Sequence, residues 1–170
     1  MPTLIDLSIP VRHGDGRLGL EVAFSTPYSY ENCGWQGSSF SMFAHYATHV
    51  DAPNHFIQGA KGIDEAPVTK VMGAASLVPL DDHGAARAIT ADTLEDRGRH
   101  VRRGEDCAIH HRILGEEIYN IEYVHQLAKI RAPRCAILAL PLKLAGLDGA
   151  PARVVAIEGM EFPAEFTVTT

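Results

Sequence analysis

The chain has only three cysteines, Cys33, Cys107 and Cys135, and no two of them stand in a C-x-x-C pair. An odd, scattered set builds no disulfide framework and no zinc ribbon, so the three read as small buried apolar residues. No basic stripe is present. The formal charge is -6, and the one basic cluster, Arg97 to Arg103, is broken by Gly98 and His100. This argues against a nucleic-acid partner and makes the cluster a solvated segment. The longest apolar stretch, Cys135 to Leu142, is too short to span a bilayer, and MPTLIDLSIPV has no basic leader region. The expectation is a cytoplasmic protein without membrane contact. Tandem repeats and linker-like stretches are missing too, so the 170 residues are expected to form one domain, 1–170, large enough to bury a core.

Strand signals outnumber helix signals. Leu4 to Val11, Ser38 to His45, Ala74 to Leu80, Glu105 to Ile109, Ile118 to Glu122, Arg134 to Leu140 and Ala152 to Ile157 read as strands, and RCAILAL is the clearest core strand. Residues 13–30, with several glycines, read as loop with at most a short strand. Helices are expected at Ala91 to Arg97, after an N-cap at Thr90, and near Tyr123 to Ile130. The tail from Gly159 looks irregular. The pattern predicts an α/β domain with a mixed β-sheet core and flanking helices.

Histidine is what the chain has in excess. Nine are present, and three of them fall in the segment His45-Tyr-Ala-Thr-His49-Val-Asp51-Ala-Pro-Asn-His55. Imidazole nitrogen and carboxylate oxygen are the donors that hold zinc and similar divalent ions. On a strand His45, His49 and Asp51 share one parity and leave the same face. A strand also spreads them along its length, so a bend is needed to bring His45 in, and Ala47 and Thr48 are small enough to allow one. Pro53 breaks the ladder, so parity does not fix the direction of His55. A helix would pair His45 with His49 at i, i+4 but leave Asp51 off that face. Read by itself, Glu122 is an exposed carboxylate at the start of a helix.

The segment resembles the HxGTHxDxPxH signature of the bacterial kynurenine formamidase family, which also contains isatin hydrolases and polyketide-type cyclases. Ala47 stands where that family has glycine. The resemblance extends to IDLSIPV near the N-terminus, to HHRILGEEIYNIEYVHQL, and to ALPLKLAGLDGAPARVVAI near the C-terminus. Between Glu105–Ile109 and HHRILG the chain is shorter than the family pattern.

The resemblance implies the swivelling β/β/α fold of the cyclase-like family. It implies metal ligands at His45, His49, Asp51, His110 and Glu122, and a general acid/base at His55. His111, next to His110, is the rival for that ligand position. Five ligands imply one or two divalent ions, zinc or manganese. The implied reaction is hydrolysis of a C–N bond in an aryl formamide, lactam or related cyclic amide. The alternatives are a polyketide-type cyclase/dehydratase and a catalytically impaired metal-binding relative. The implied partner is a small aromatic substrate, for which Trp35 and Phe24 are candidate contacts. A homo-oligomer, dimer or tetramer, is also implied.

Overall fold

A computed structural model describes residues 1–77, 108–163 and 167–168. In chain order its elements are β1 (Thr3–Asp6), β2 (Gly16–Arg17), β3 (Leu20–Glu21), β4 (Ala23–Tyr28), the single helical turn α1 (Tyr30–Cys33), β5 (Gly37–Ser41) and β6 (His49–Asp51). Then come β7 (Met72–Ser76), helix α2 (Ala108–Gly115), β8 (Asn120–Glu122), β9 (Arg134–Pro141) and β10 (Gly149–Glu158). The architecture is the expected α/β domain, with a six-stranded antiparallel sheet and few helices.

The order across the sheet is β7-β9-β10-β6-β8, with β1 also on β10. Strand β10 is the spine. Its first residues pair with β6, with Gly149 opposite Asp51 and Pro151 opposite His49. Its remainder pairs with β9 from Ala152 to Ile157, and its end pairs with β1. Small residues recur along both strands: Ala139 of β9 and Ala150 and Ala156 of β10 are buried in one cluster with Val154, Leu7 and Ile5, and Ala136 of β9 is buried too. Such small side chains let the neighbouring layer approach closely, and close packing is what makes apolar burial favourable. Thr48 ties three chain segments together. Its Oγ1 accepts from the Ile9 amide at 2.9 Å and donates to the Tyr123 carbonyl at 2.7 Å.

Several sequence expectations change. The strand expected over Ser38 to His45 stops at Ser41, and a turn carries residues 44–48 into β6. The helix expected near Tyr123 to Ile130 is replaced by a short 3-10 turn, Leu127–Lys129, because Tyr123 and Gln126 adopt left-handed backbone at φ 55° and 59°. Helix α2 was not foreseen. Residues 16–28 hold more strand than a loop reading allows. The strand expected at Leu4 to Val11 is shorter and begins earlier, at Thr3–Asp6, and that expected at Ala74 to Leu80 begins earlier and ends at Ser76, as Met72–Ser76, with residues 78–80 outside the described residues. The expected helix at Ala91 to Arg97 lies outside the described residues, as do residues 105–107 of the strand expected at Glu105 to Ile109, whose last two residues, Ala108 and Ile109, instead begin helix α2. Among the described residues no helix is long and apolar enough to cross a membrane.

Candidate metal centre

The site is built on β6. All three of its residues are buried. Val50 faces the apolar core, so the alternation of a strand sends His49 and Asp51 to the other face. Register then supplies their neighbours. Glu122 lies opposite His49 and Asn120 opposite Asp51 on β8, while Gly149 lies opposite Asp51 on β10. Gly149 leaves a gap on this face, and the His45 ring fills it. A Cβ added at Gly149 would sit 2.6 Å from His45 Cε1.

His45 reaches that gap through the bend the sequence required. Ala47 takes left-handed backbone at φ 56°, a conformation glycine adopts without steric cost and alanine does not. The turn brings the Ala47 carbonyl within 2.8 Å of His49 Nδ1. A carbonyl only accepts, so Nδ1 donates and the Nε2 lone pair of a neutral His49 is aimed at Asp51 Oδ1, 3.2 Å away.

The histidine–aspartate motif is brought together with distant residues. His45 Nδ1 is 2.8 Å from Asp51 Oδ1. His110, on α2, places Nε2 at 3.0 Å from Glu122 Oε1 and 3.7 Å from Asp51 Oδ2. Asn120 Nδ2 donates to Glu122 Oε1 at 2.9 Å and to Asp51 Oδ2 at 3.3 Å. His111 is exposed and packs against the Phe56 ring instead. His55 follows Pro53 and Asn54 in a 3-10 turn, and its ring stacks on His45 with centroids 3.8 Å apart.

Two participants were missed by sequence reasoning. Asp148 Oδ2 lies 2.8 Å from His45 Nε2 and 2.9 Å from His55 Nδ1. Asp148-Gly149 reads locally as turn chemistry, which hid the carboxylate's role. Asn120 carries no local signal at all. Trp35 and Phe24 are not among the rings described against the cluster. Trp35 stacks on Tyr28 at 4.7 Å and Phe24 lies beside His13, both on the exposed β4–β5 hairpin. The rings that do pack there are Phe43, Phe56 and Tyr123.

The floor of the site is closed and its rim is open. The side chains of His49 and Asp51 are each 1% exposed, whereas those of His55, His110 and Glu122 are about a quarter exposed and that of Asp148 is 43% exposed. In the metal-free chain, where a proton and not a cation lies among these groups, burial disfavours the Asp51 charge, but hydrogen bonding with the His45 and His49 rings outweighs it and holds the carboxyl well below its ordinary value. Burial likewise opposes charge on His45, yet Asp51 and Asp148 raise its pKa. Asp148 is lowered by His45 and His55 against its partial burial. His55 goes the other way. Burial and the neighbouring His45 lower its pKa, so it is held as the neutral ring.

Donor chemistry tests whether a cation fits. A neutral His45 has one N–H, and giving it to Asp148 leaves the Nδ1 lone pair facing Asp51 Oδ1. Together with His49 Nε2, three lone pairs then converge, which is stable only with a proton or a cation among them. Among the described residues three overlapping donor sets have ligand atoms within 4.8 Å of one another: His45, His49 and Asp51; Asp51, His110 and Glu122; and His45, His55 and Asp148. Asp51 is common to the first two. Nitrogen and carboxylate donors with no thiolate suit zinc and manganese alike.

Fold and donor set together define an α/β domain with a candidate divalent-metal centre on its sheet. The comparisons bear on the family and the fold. The chain belongs to the Cyclase family, described as "Putative cyclase", whose family model matches residues 5–128. Isatin hydrolase A from Ralstonia solanacearum shares the fold with TM-score 0.76 and 18% identity, over 92% of each chain. A predicted metal-dependent hydrolase from Bacillus stearothermophilus gives TM-score 0.72 and 20% identity, over 93% of this chain and 99% of that one. Isatin hydrolase A from Labrenzia aggregata, bound to benzyl benzoate, gives 0.70 and 18%, over 92% and 93%. No curated protein matches the chain.

Proposed function

We propose that this protein is a metal-dependent hydrolase that cleaves a C–N bond in an aryl formamide, a lactam or a related cyclic amide. The observation that supports it most is the convergence of Asp51 with His45, His49, His110 and Glu122, contributed by three separate stretches of chain. His45, His49 and Asp51 would hold one divalent ion, zinc or manganese, and His110 and Glu122, sharing Asp51, would hold a second or complete the first. When bound, the ion supplies Lewis-acid polarisation of a carbonyl and acidification of water.

The chain's own residues supply the rest. His55 sits at the open rim with Nδ1 committed to Asp148. Its Nε2 is therefore the nitrogen that takes a proton from attacking water and returns it to the leaving nitrogen. A neutral imidazole is the right starting state for that transfer near neutral pH. Phe56, stacked on His110 at 4.7 Å, and Phe43, 5.2 Å from His45, offer apolar walls on which an aromatic substrate can lie. Isatin, named for two of the structural neighbours above, is a lactam fused to an aromatic ring and suits such walls.

The test is turnover of N-formylkynurenine, isatin and aryl esters by protein loaded with zinc or manganese. Consumption of an amide or lactam that stops when a chelator is added is the expected result. Condensation of a polyketide chain with no hydrolysis of any of these compounds would replace the proposal with a cyclase. His55→Ala is expected to lower kcat by about 100-fold or more while metal still binds. Full activity in that variant removes His55 from the chemistry.

A second copy of the chain is the partner proposed for the β4–β5 hairpin. Every residue of β4 is exposed, and Phe24, Tyr28, Trp35 and Phe40 form an uncovered apolar surface there. Light scattering should give a dimer or tetramer, and Phe40→Asp should shift it towards monomer. A wild-type monomer at all concentrations would end this reading.

A further inference from the structure

One carboxylate, Asp148, faces both the candidate metal ligand His45 and the candidate acid/base His55. Its Oδ2 atom alone makes both contacts, at 2.8 Å to His45 Nε2 and 2.9 Å to His55 Nδ1. A carboxylate only accepts, so each ring donates to it. Donation by His45 Nε2 fixes the tautomer that turns Nδ1 towards Asp51. Donation by His55 Nδ1 fixes the tautomer that leaves Nε2 free at the rim. The two rings are stacked 22° from parallel, so one oxygen lies within reach of both edges.

The chain is built to hold Asp148 there. It immediately precedes Gly149, the first residue of β10, which pairs with Asp51 across the sheet. The Asp148 carbonyl accepts from the Ala52 amide at 2.9 Å, which fastens the Asp148 backbone to the residue just after β6. The loop before it is pinned from the far side, where Ile63 N donates to the Leu147 carbonyl at 2.9 Å and Gly146 N donates to Asp64 Oδ1 at 2.8 Å. The carboxylate therefore moves with β6 and not with a free loop.

We propose that Asp148 is a shared positioning residue, which sets the tautomer and orientation of His45 as a ligand and of His55 as a base. The proposal rests on the hydrolase reading above for the use made of the two rings. A carboxylate that orients a metal-binding histidine commonly governs affinity or activity by about 10- to 100-fold. Here one carboxylate governs both, so metal affinity and proton transfer are linked through a single side chain.

The experiment uses the full chain and the variants Asp148→Ala, Asp148→Asn, His55→Ala and the Asp148→Ala/His55→Ala double variant. Calorimetric titration with zinc is expected to show affinity reduced about 10- to 100-fold in Asp148→Ala. Imidazole nitrogen NMR of the metal-free protein is expected to show His55 as the Nδ1–H tautomer in the wild type and as a mixture in Asp148→Ala. Asp148→Asn keeps a carbonyl acceptor and should recover part of both signals. In kcat, Asp148→Ala should have little further effect in the His55→Ala background beyond what reduced metal loading accounts for, as measured at saturating zinc.

Wild-type zinc affinity together with a wild-type His55 tautomer in Asp148→Ala would overturn the proposal. So would a loss of one bound ion per chain at unchanged affinity for the remainder, because Asp148 would then be a ligand itself. Wild-type protein that binds no zinc or manganese would defeat the hydrolase reading, and the tautomer measurement would still decide the role of Asp148 towards His55.

Discussion

Replacing Asp51 with asparagine is expected to lower divalent-metal affinity by more than about 100-fold and to lower any hydrolytic activity in parallel. The substitution is nearly isosteric, so packing is preserved and the loss reports on charge. Asp51 is the one residue common to the His45–His49 and the His110–Glu122 donor groups. It is also 1% exposed, where water cannot take its place. The asparagine presents one neutral oxygen and an amide N–H, so one of the two donor groups loses its acceptor. Metal content after dialysis and calorimetric titration both read the effect. Wild-type affinity in this variant would mean that the ion, if any, is held elsewhere.

The same variant has a pH signature in the metal-free protein. The Asp51 carboxyl is held below its ordinary value in the folded chain. Its contribution to stability is therefore present above the unfolded value, near 3.8, and is lost as pH falls below it. Asp51→Asn should flatten the acid limb of the stability profile.

The second large effect is expected at Gly149. An alanine Cβ would meet His45 Cε1 at 2.6 Å, the Val50 carbonyl oxygen at 2.9 Å and His45 Nδ1 at 3.2 Å. The Val50 carbonyl belongs to the sheet and cannot yield. His45 is held between Asp51 and Asp148 and against His55, so its displacement breaks the cluster. Gly149→Ala should cost about 1–3 kcal/mol, a fall in Tm of about 2–4 °C for each kcal/mol in a chain of this size. Metal affinity should fall with it, by about 10-fold or more. Gly34→Ala is the control. That glycine has φ 80° with nothing within 4 Å, so alanine there is strained but leaves the site intact. Its stability should fall by about 1 kcal/mol with metal affinity unchanged. Equal metal affinity in Gly149→Ala and Gly34→Ala would show that His45 is not a ligand.

Local pattern carried much of this molecule. The run RCAILAL was legible as a strand because it is a short, continuous apolar run bounded by Pro133 and Pro141, too short for a core helix, and it is β9 in the structure. The parity of His49 and Asp51 was legible because a strand has a period of two. The need for a bend before His49 followed from the same period, and Ala47 supplies it. Helical signals failed where single residues took left-handed backbone. Nothing in the composition of Tyr123 or Gln126 announces that conformation, and the contacts of Thr48 and Arg17 with Tyr123 come from far along the chain.

The sequence by itself determined the donor types and the shared parity of His49 and Asp51 in extended chain, because residue chemistry and β-periodicity are local properties. Only the tertiary structure decided that His110 turns towards Asp51 while His111 turns away, that Asn120 and Asp148 join the cluster, and that Trp35 and Phe24 stand on a separate hairpin. These outcomes depend on antiparallel register and on the gap at Gly149, which arise when segments about a hundred residues apart meet across one sheet.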